Sequence, residues 1–183
     1  KSTTIAAMLD HRNANKPGHI LTVEDPIEYL FKHKRSIVNQ REIGLDTLSW
    51  AEALKNAMRQ APDCILIGEI RDKETMSAAI AYAHTGHLCL ATLHANNAYH
   101  ALNRIFNFFP LENRPSLYLD LSVSLKAIIS QRLAKKPDGK RLPAVEILLN
   151  TRHISELIEK GEVNAIKEAM EQSLAPGSQT FEQ

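Results

Sequence analysis

Apolar runs that stop abruptly at acids or at a histidine set the pattern of this chain. Ile5, Met8 and Leu9 recur at helical spacing, which predicts a helix over 4–12 closed off by Pro17-Gly18. "HILTVEDP" (19–26) is a continuous apolar run ended by two acids and a proline, and reads as a buried strand. "SIVNQR" (36–41) is a short strand candidate. Over 49–63, Ala53, Leu54, Ala57 and Met58 form a helical stripe behind a Ser49/Glu52 capping box. "CILIGEIRD" (64–72) predicts a second buried strand, with Asp72 capping a helix over 73–85 that Gly86 stops. "HLCLATLHA" (87–95) predicts a third. Helices are predicted over 97–109 and 114–133, divided by Pro110 and Pro115. "PDGKR" (137–141) reads as a turn and "AVEILLN" (144–150) as a strand. Two short helices, 151–160 and 162–172, flank Gly161, and the tail "APGSQTFEQ" is loop-like.

Apolar strands alternating with helices predict an α/β fold, a mostly parallel sheet with helices on both faces. Ligands of such sheets bind beyond the carboxyl ends of the strands. Three predicted strands deliver polar groups to that edge: Glu24-Asp25, Gly68-Glu69 and Thr92-Leu93-His94. One acid after a strand means little, but three such endings are harder to attribute to ordinary loops.

Composition narrows the function classes. The 183 residues are 44% hydrophobic, enough for one domain's core, and only 5% aromatic, so that core is expected to be aliphatic. The net charge is +1 and no Lys/Arg block stands out, so nucleic acid is not an expected partner. Cys64 and Cys89 lie inside apolar runs and read as buried free thiols, as in a reducing cytosol. No stretch approaches the ~20 apolar residues of a membrane span.

The chain opens "KSTT", and Lys-Ser before a helix is how a phosphate-binding loop ends. With the acidic edge, this fits phosphoryl transfer from ATP to water. Such a reaction needs cations on the phosphates, Mg²⁺, and a carboxylate acting on the water. Lys1 would reach the β- and γ-phosphates, and the Ser2 hydroxyl would ligate Mg²⁺. Glu24 or Glu69 would act on the water, and His94 could sense the γ-phosphate. The glycines of the loop are expected upstream of residue 1. On that reading, this stretch alone folds but does not hold ATP tightly.

Four motifs in order carry a resemblance: Lys1-Ser2-Thr3 as the end of a Walker A, "ILTVEDPIEYLF", "CILIGEIRD" as a Walker B, and "GHLCLATLHANNA". The chain resembles the secretion ATPases of type IV pili and type II secretion, and most of all the PilT/PilU retraction family. The likeness is strongest over residues 1 to 150. It implies a RecA-like P-loop ATPase core over 1–150 and a small C-terminal helical segment over 151–183, both continuing beyond the sequence. It implies that Glu24 is the general base, that Glu69 acts near Mg²⁺ together with Ser2, and that His94 belongs to the family's His box. Arg41, Arg59 and Arg71 become candidates for charge coupling around the nucleotide. Gly68 departs from the general Walker B, where many P-loop enzymes have Asp.

The absence of a Cys-x-x-Cys pair distinguishes the chain from assembly and secretion members with a four-cysteine zinc insert. "HISELIEKGEVN" and "ATLHANNA" lean towards the PilU side of the family. The resemblance further implies a homohexamer, a platform protein of the inner membrane as partner, and a cytoplasmic location peripheral to that membrane. The competing readings are an accessory paralogue assisting another retraction ATPase, a type II secretion or assembly ATPase, and a DNA-handling ATPase of related fold.

Overall fold

Four strands pair in parallel, which accounts for the largely apolar runs over 20–23, 64–67 and 88–91. They belong to the first of two units, Lys1–Leu93 and His94–Gln183, in a computed structural model that describes residues 1–173 and 175–183. In chain order the first unit comprises α1 (Ser2–Asn15), β1 (Gly18–Glu24), β2 (Ser36–Glu42), α2 (Trp50–Ala57), β3 (Cys64–Ile67), α3 (Lys73–His84) and β4 (Leu88–Ala91). The sheet runs β2-β1-β3-β4. Glu24 stands opposite Glu42, Val23 opposite Ile67, and Ile67 opposite Ala91. All four carboxyl ends therefore meet at one edge, as expected.

In the central strands β1 and β3 the side chains alternate between two buried faces. Ile20, Val38, Cys64 and Leu66 pack with Leu9 of α1, joined by Ile5, Phe31 and Leu90. Leu21, Val23, Ile65 and Ile67 are fully buried on the opposite face, where α2 packs beside β1 and α3 beside β4. Each large aliphatic side chain removed from water contributes roughly 1.5–3 kcal/mol, which makes this aliphatic sheet the anchor of the unit. The predicted caps form: Ser49 accepts from the Glu52 N–H, and Asp72 makes a reciprocal capping box with Thr75. The helix predicted to reach residue 63 ends earlier, because Ala61 turns into the left-handed region (φ +46°) just before Pro62.

The second unit contains α4 (Ala98–Asn107), α5 (Arg114–Ser124), β5 (Ala127–Lys135), β6 (Arg141–Leu149), α6 (Arg152–Glu159) and α7 (Ile166–Glu171). The helix expected over 114–133 is a misreading. It stops at Ser124, and 127–135 pairs antiparallel with 141–149 around the predicted turn. Leu117, Leu121, Leu125 and Ile128 mimic a helical stripe, but the partner that makes this segment a strand lies up to twenty-two residues away at Leu149. Pairing of that kind overrides local spacing. The residues after 151 pack with α5, within the unit that begins at His94. Gly161 (φ +71°) closes α6 against Tyr118, where a Cβ would come within 2.6 Å of the ring.

Candidate active site

The site is built at the carboxyl edge of the sheet. Period-two alternation places Thr22 and Glu24 of β1 on the face covered by α1. Gln40 of β2, directly opposite Thr22, shares that face. Glu24 is half-buried, and its Oε1 accepts from the Thr22 hydroxyl (2.6 Å) and from Gln40 Nε2 (3.2 Å).

β3 leaves the sheet at Gly68, whose N–H donates to the Val23 carbonyl at 2.8 Å. The Gly68 carbonyl accepts from the Thr92 hydroxyl, and the Ile70 N–H donates to the Thr92 carbonyl at 2.9 Å. The exits of β1, β3 and β4 are thus laced together, which fixes where Glu69 emerges. Arg71 Nε–H donates to Glu69 at 2.9 Å, and Nη1–H reaches Asp25 at 3.4 Å. The bond to Glu69 and its charge, then the charge of Asp25, push the guanidinium pKa further above its ordinary value.

The start of α1 lies at the same edge. Lys1 Nζ donates to the Leu93 carbonyl at 2.8 Å. The Ser2 hydroxyl donates to Glu28 at 3.0 Å, and Thr3 shares a 2.9 Å bond with the Tyr29 hydroxyl. The first turn of α1 holds no acidic residue and no side-chain cap, a chemistry suited to a phosphate at the helix N-terminus. Among the described residues no group of three or more His, Cys, Asp or Glu could hold a metal. Ser2 and Glu69 bring a hydroxyl and a carboxylate to this edge, oxygen donors of the kind Mg²⁺ takes when a nucleotide carries it and phosphates and water supply the rest.

Of the predicted residues, Lys1, Ser2, Thr3, Glu24, Glu69 and Arg71 meet at this edge. Arg41 lies near the carboxyl end of the outermost strand, one residue before Glu42. Arg59 does not come to the edge. It sits in the turn before β3, next to Gln60, whose carbonyl bonds His19 at the far end of β1. His94 follows β4 and opens the second unit, where its carbonyl accepts from Arg104 at 3.1 Å. Thr22, Gln40, Glu28 and Tyr29 were missed by the sequence reading. For Thr22 a signal existed, since a polar residue two positions before Glu24 in a buried strand must face the same way.

A parallel sheet with acids at its carboxyl edge, and a Lys-Ser helix start beside them, defines the RecA-like fold of P-loop ATPases. The model of the family described as type II/IV secretion system protein matches residues 1–156. The chain belongs to that family. It is 56% identical over 184 aligned residues to the type IV pilus ATPase PilU of Pseudomonas aeruginosa, covering 100% of this chain and 48% of that protein. To the type IV pilus retraction ATPase PilT of the same organism it is 45% identical over 182 residues, covering 100% of this chain and 53% of that one. The crystal structure of the pilus retraction motor PilT with bound ADP superimposes with a TM-score of 0.90 at 48% identity, over 94% of this chain and 50% of that one. The chain spans about half the length of the curated relatives it matches.

Proposed function

We propose that the full-length protein is an ATP-hydrolysing motor subunit that powers type IV pilus retraction. The observation that carries this reading is the convergence of Glu24, Glu69 and the Lys1-Ser2 helix start on one sheet edge. The names of the relatives, a pilus ATPase and a retraction motor bound to ADP, support the choice of nucleotide and of task.

In this mechanism Lys1 and the N–H groups of the first turn of α1 bind the β- and γ-phosphates. Thr3 holds that turn against the loop after β1. Bound Mg²⁺ would neutralise charge on the phosphates, with Ser2 and Glu69 as its protein-side groups. The Ser2 hydroxyl, which donates to Glu28 in this structure, is the group of the helix start that would hold the ion. Glu24 accepts the proton of the attacking water. Arg71 holds Glu69 and Asp25 in register and couples charge between them, with Arg41 as a further coupling group. His94 follows the exit of β4 and would report loss of the γ-phosphate. Residues 1–150 belong to the ATPase core and 151–183 to a C-terminal helical segment. The assembly is a homohexameric ring at the cytoplasmic face of the inner membrane, acting on a pilus platform protein.

An accessory role beside a paralogous retraction ATPase is the second reading. Identity is higher to PilU, named a pilus ATPase, than to PilT, named a retraction ATPase (56% against 45%), which favours a task beside retraction itself. Steady-state phosphate release by the full-length protein tests both. Mg-ATP turnover by the protein alone is the expected result for a motor. Turnover that appears only with the paralogue would favour the accessory role, and nucleotide binding without turnover in either setting would overturn the motor reading.

A further inference from the structure

We propose that Thr22 and Gln40 are positioning residues that aim the carboxylate of Glu24, an inference resting on the reading of Glu24 as the base. Thr22 is 0% exposed in the middle of an aliphatic strand. A hydroxyl in such surroundings is costly unless hydrogen-bonded. Its hydrogen bond goes to Glu24 Oε1 at 2.6 Å, a length typical of a hydroxyl donating to a charged oxygen. Gln40 Nε2 donates to the same oxygen from the neighbouring strand at 3.2 Å.

Both donors select Oε1. Among the described residues Oε2 accepts no hydrogen bond. One carboxylate oxygen is therefore tethered to two strands, and the other is left to take a proton from water. The tether is itself held in place. Gln40 Oε1 accepts from the Phe31 N–H at 2.9 Å, and Nε2 also donates to the Tyr29 carbonyl at 2.8 Å. A flipped amide would lose both bonds and turn its oxygen towards the carboxylate, so the network fixes the donor towards Glu24. Tyr29 also bonds Thr3 in the first turn of α1. Gln40 thus ties the base to the loop that steadies the phosphate-binding end of the helix.

The test is phosphate release by the full-length protein carrying Thr22→Val, Thr22→Ser, Gln40→Met and Glu24→Gln, singly and in combination. A base displaced by a fraction of an ångström to 1 Å loses roughly 10- to 100-fold in rate. Thr22→Val and Gln40→Met should each lower kcat by about that factor with KM for ATP nearly unchanged, the signature of an interaction needed in the transition state. Thr22→Ser keeps the hydroxyl and should restore most of the rate. In the Glu24→Gln background neither change should lower the residual rate further. If Thr22→Val proves unstable, Gln40→Met on the half-exposed β2 decides alone. A serine variant as damaged as the valine one, or losses that persist undiminished without Glu24, would overturn the positioning role. Loss of turnover in Glu24→Gln with full activity in the other variants would remove this inference and leave the base in place. Normal turnover in Glu24→Gln would remove both.

Discussion

Gly68 lies so close to Glu24 that a methyl group on its Cα would stand 3.2 Å from the Glu24 Cα. The same methyl would stand 3.2 Å from the Val23 carbonyl oxygen. Both neighbours are backbone, so neither can rotate away. This gives a physical reason for glycine where many P-loop enzymes have Asp. Gly68→Ala is expected to push β1 back by a few tenths of an ångström. Turnover in the full-length protein should fall about tenfold, with a stability loss of about 1–3 kcal/mol as for other overpacked sites. Gly68→Asp should be worse, although it restores the general Walker B acid. Phosphate release and thermal denaturation of both variants check this.

The acidic edge was legible in the sequence for a simple reason. Buried parallel strands are uninterrupted apolar runs, and whatever ends them must be at the edge. "HILTVEDP" and "CILIGEIRD" became buried strands that end at the edge; "HLCLATLHA" ends there too, but as β4 it is the last strand of the sheet, with Leu88 and Ala91 exposed where a buried strand was expected, and β3 and β4 are only four residues long. What stayed hidden depends on pairing. Gln40 faces Glu24 only because β2 and β1 pair in one register, which no local pattern states. The β5–β6 hairpin escaped for the same reason. Arg59 entered the candidate set by resemblance, and its place just before β3 puts it at the opposite end of the sheet from the acids, as chain direction requires.

Glu24→Gln and Glu69→Gln should separate the two acids. Loss of a positioned base typically costs about 10²–10⁴-fold in rate. Glu24→Gln in the full-length protein should bind ATP normally and lose turnover on that scale. Glu69→Gln should also slow turnover but, in addition, raise the Mg²⁺ concentration needed for half-maximal rate. Equal Mg²⁺ dependence in the two variants would contradict the division of roles.

Arg71 offers a case where stability and function should part. Its side chain is 50% exposed, and its partners Glu69 and Asp25 are 22% and 40% exposed. Ion pairs so open to solvent contribute less than about 1 kcal/mol. Arg71→Ala should therefore leave the denaturation midpoint nearly unchanged while reducing turnover. Arg71→Lys should not rescue, because one ammonium cannot reproduce the fork that bonds Glu69 through Nε and Asp25 through Nη1. Urea denaturation alongside phosphate release makes the comparison.

In the second unit, Glu146 is only 8% exposed and its Oε1 accepts from the Ala98 N–H at 2.7 Å, in the first turn of α4. A buried carboxylate at a helix N-terminus gains from both the hydrogen bond and the helix dipole. Glu146→Ala is expected to cost about 2–3 kcal/mol by leaving that N–H unmet. Glu146→Gln, which keeps an acceptor but not the charge, should cost about 1 kcal/mol. Equal losses would mean that the charge, and not the neutral acceptor, carries the contribution, and a lossless Glu146→Gln would mean that charge contributes nothing there. Chemical denaturation measures both.

The two cysteines predict an alkaline weakness with a definite window. Burial is the first cause in each: it raises the Cys64 thiol from 9.0 to about 11 and the Cys89 thiol from 9.0 to about 12. Paired residues share a face, and Cys89 stands opposite Ile65, so the two thiols project to opposite faces and do not bond to each other. Below pH 9 both folded and unfolded chains keep these protons, and the thiols give no pH dependence. Above pH 9 the unfolded chain releases them while the folded chain holds them, so stability falls as pH rises. The slope is at most about 1.4 kcal/mol per pH unit for each thiol. Tyr82 adds to the decline only above its ordinary value of 10.0, since burial raises its hydroxyl to about 12. The interval from pH 9 to 10 is therefore the one that isolates the thiols. Cys64→Ala with Cys89→Ala should lower stability at pH 7 through lost packing, yet flatten the decline between pH 9 and 10. Urea denaturation at half-unit pH steps reads the slope directly, and an unchanged slope in the double variant would show that other groups drive the alkaline transition.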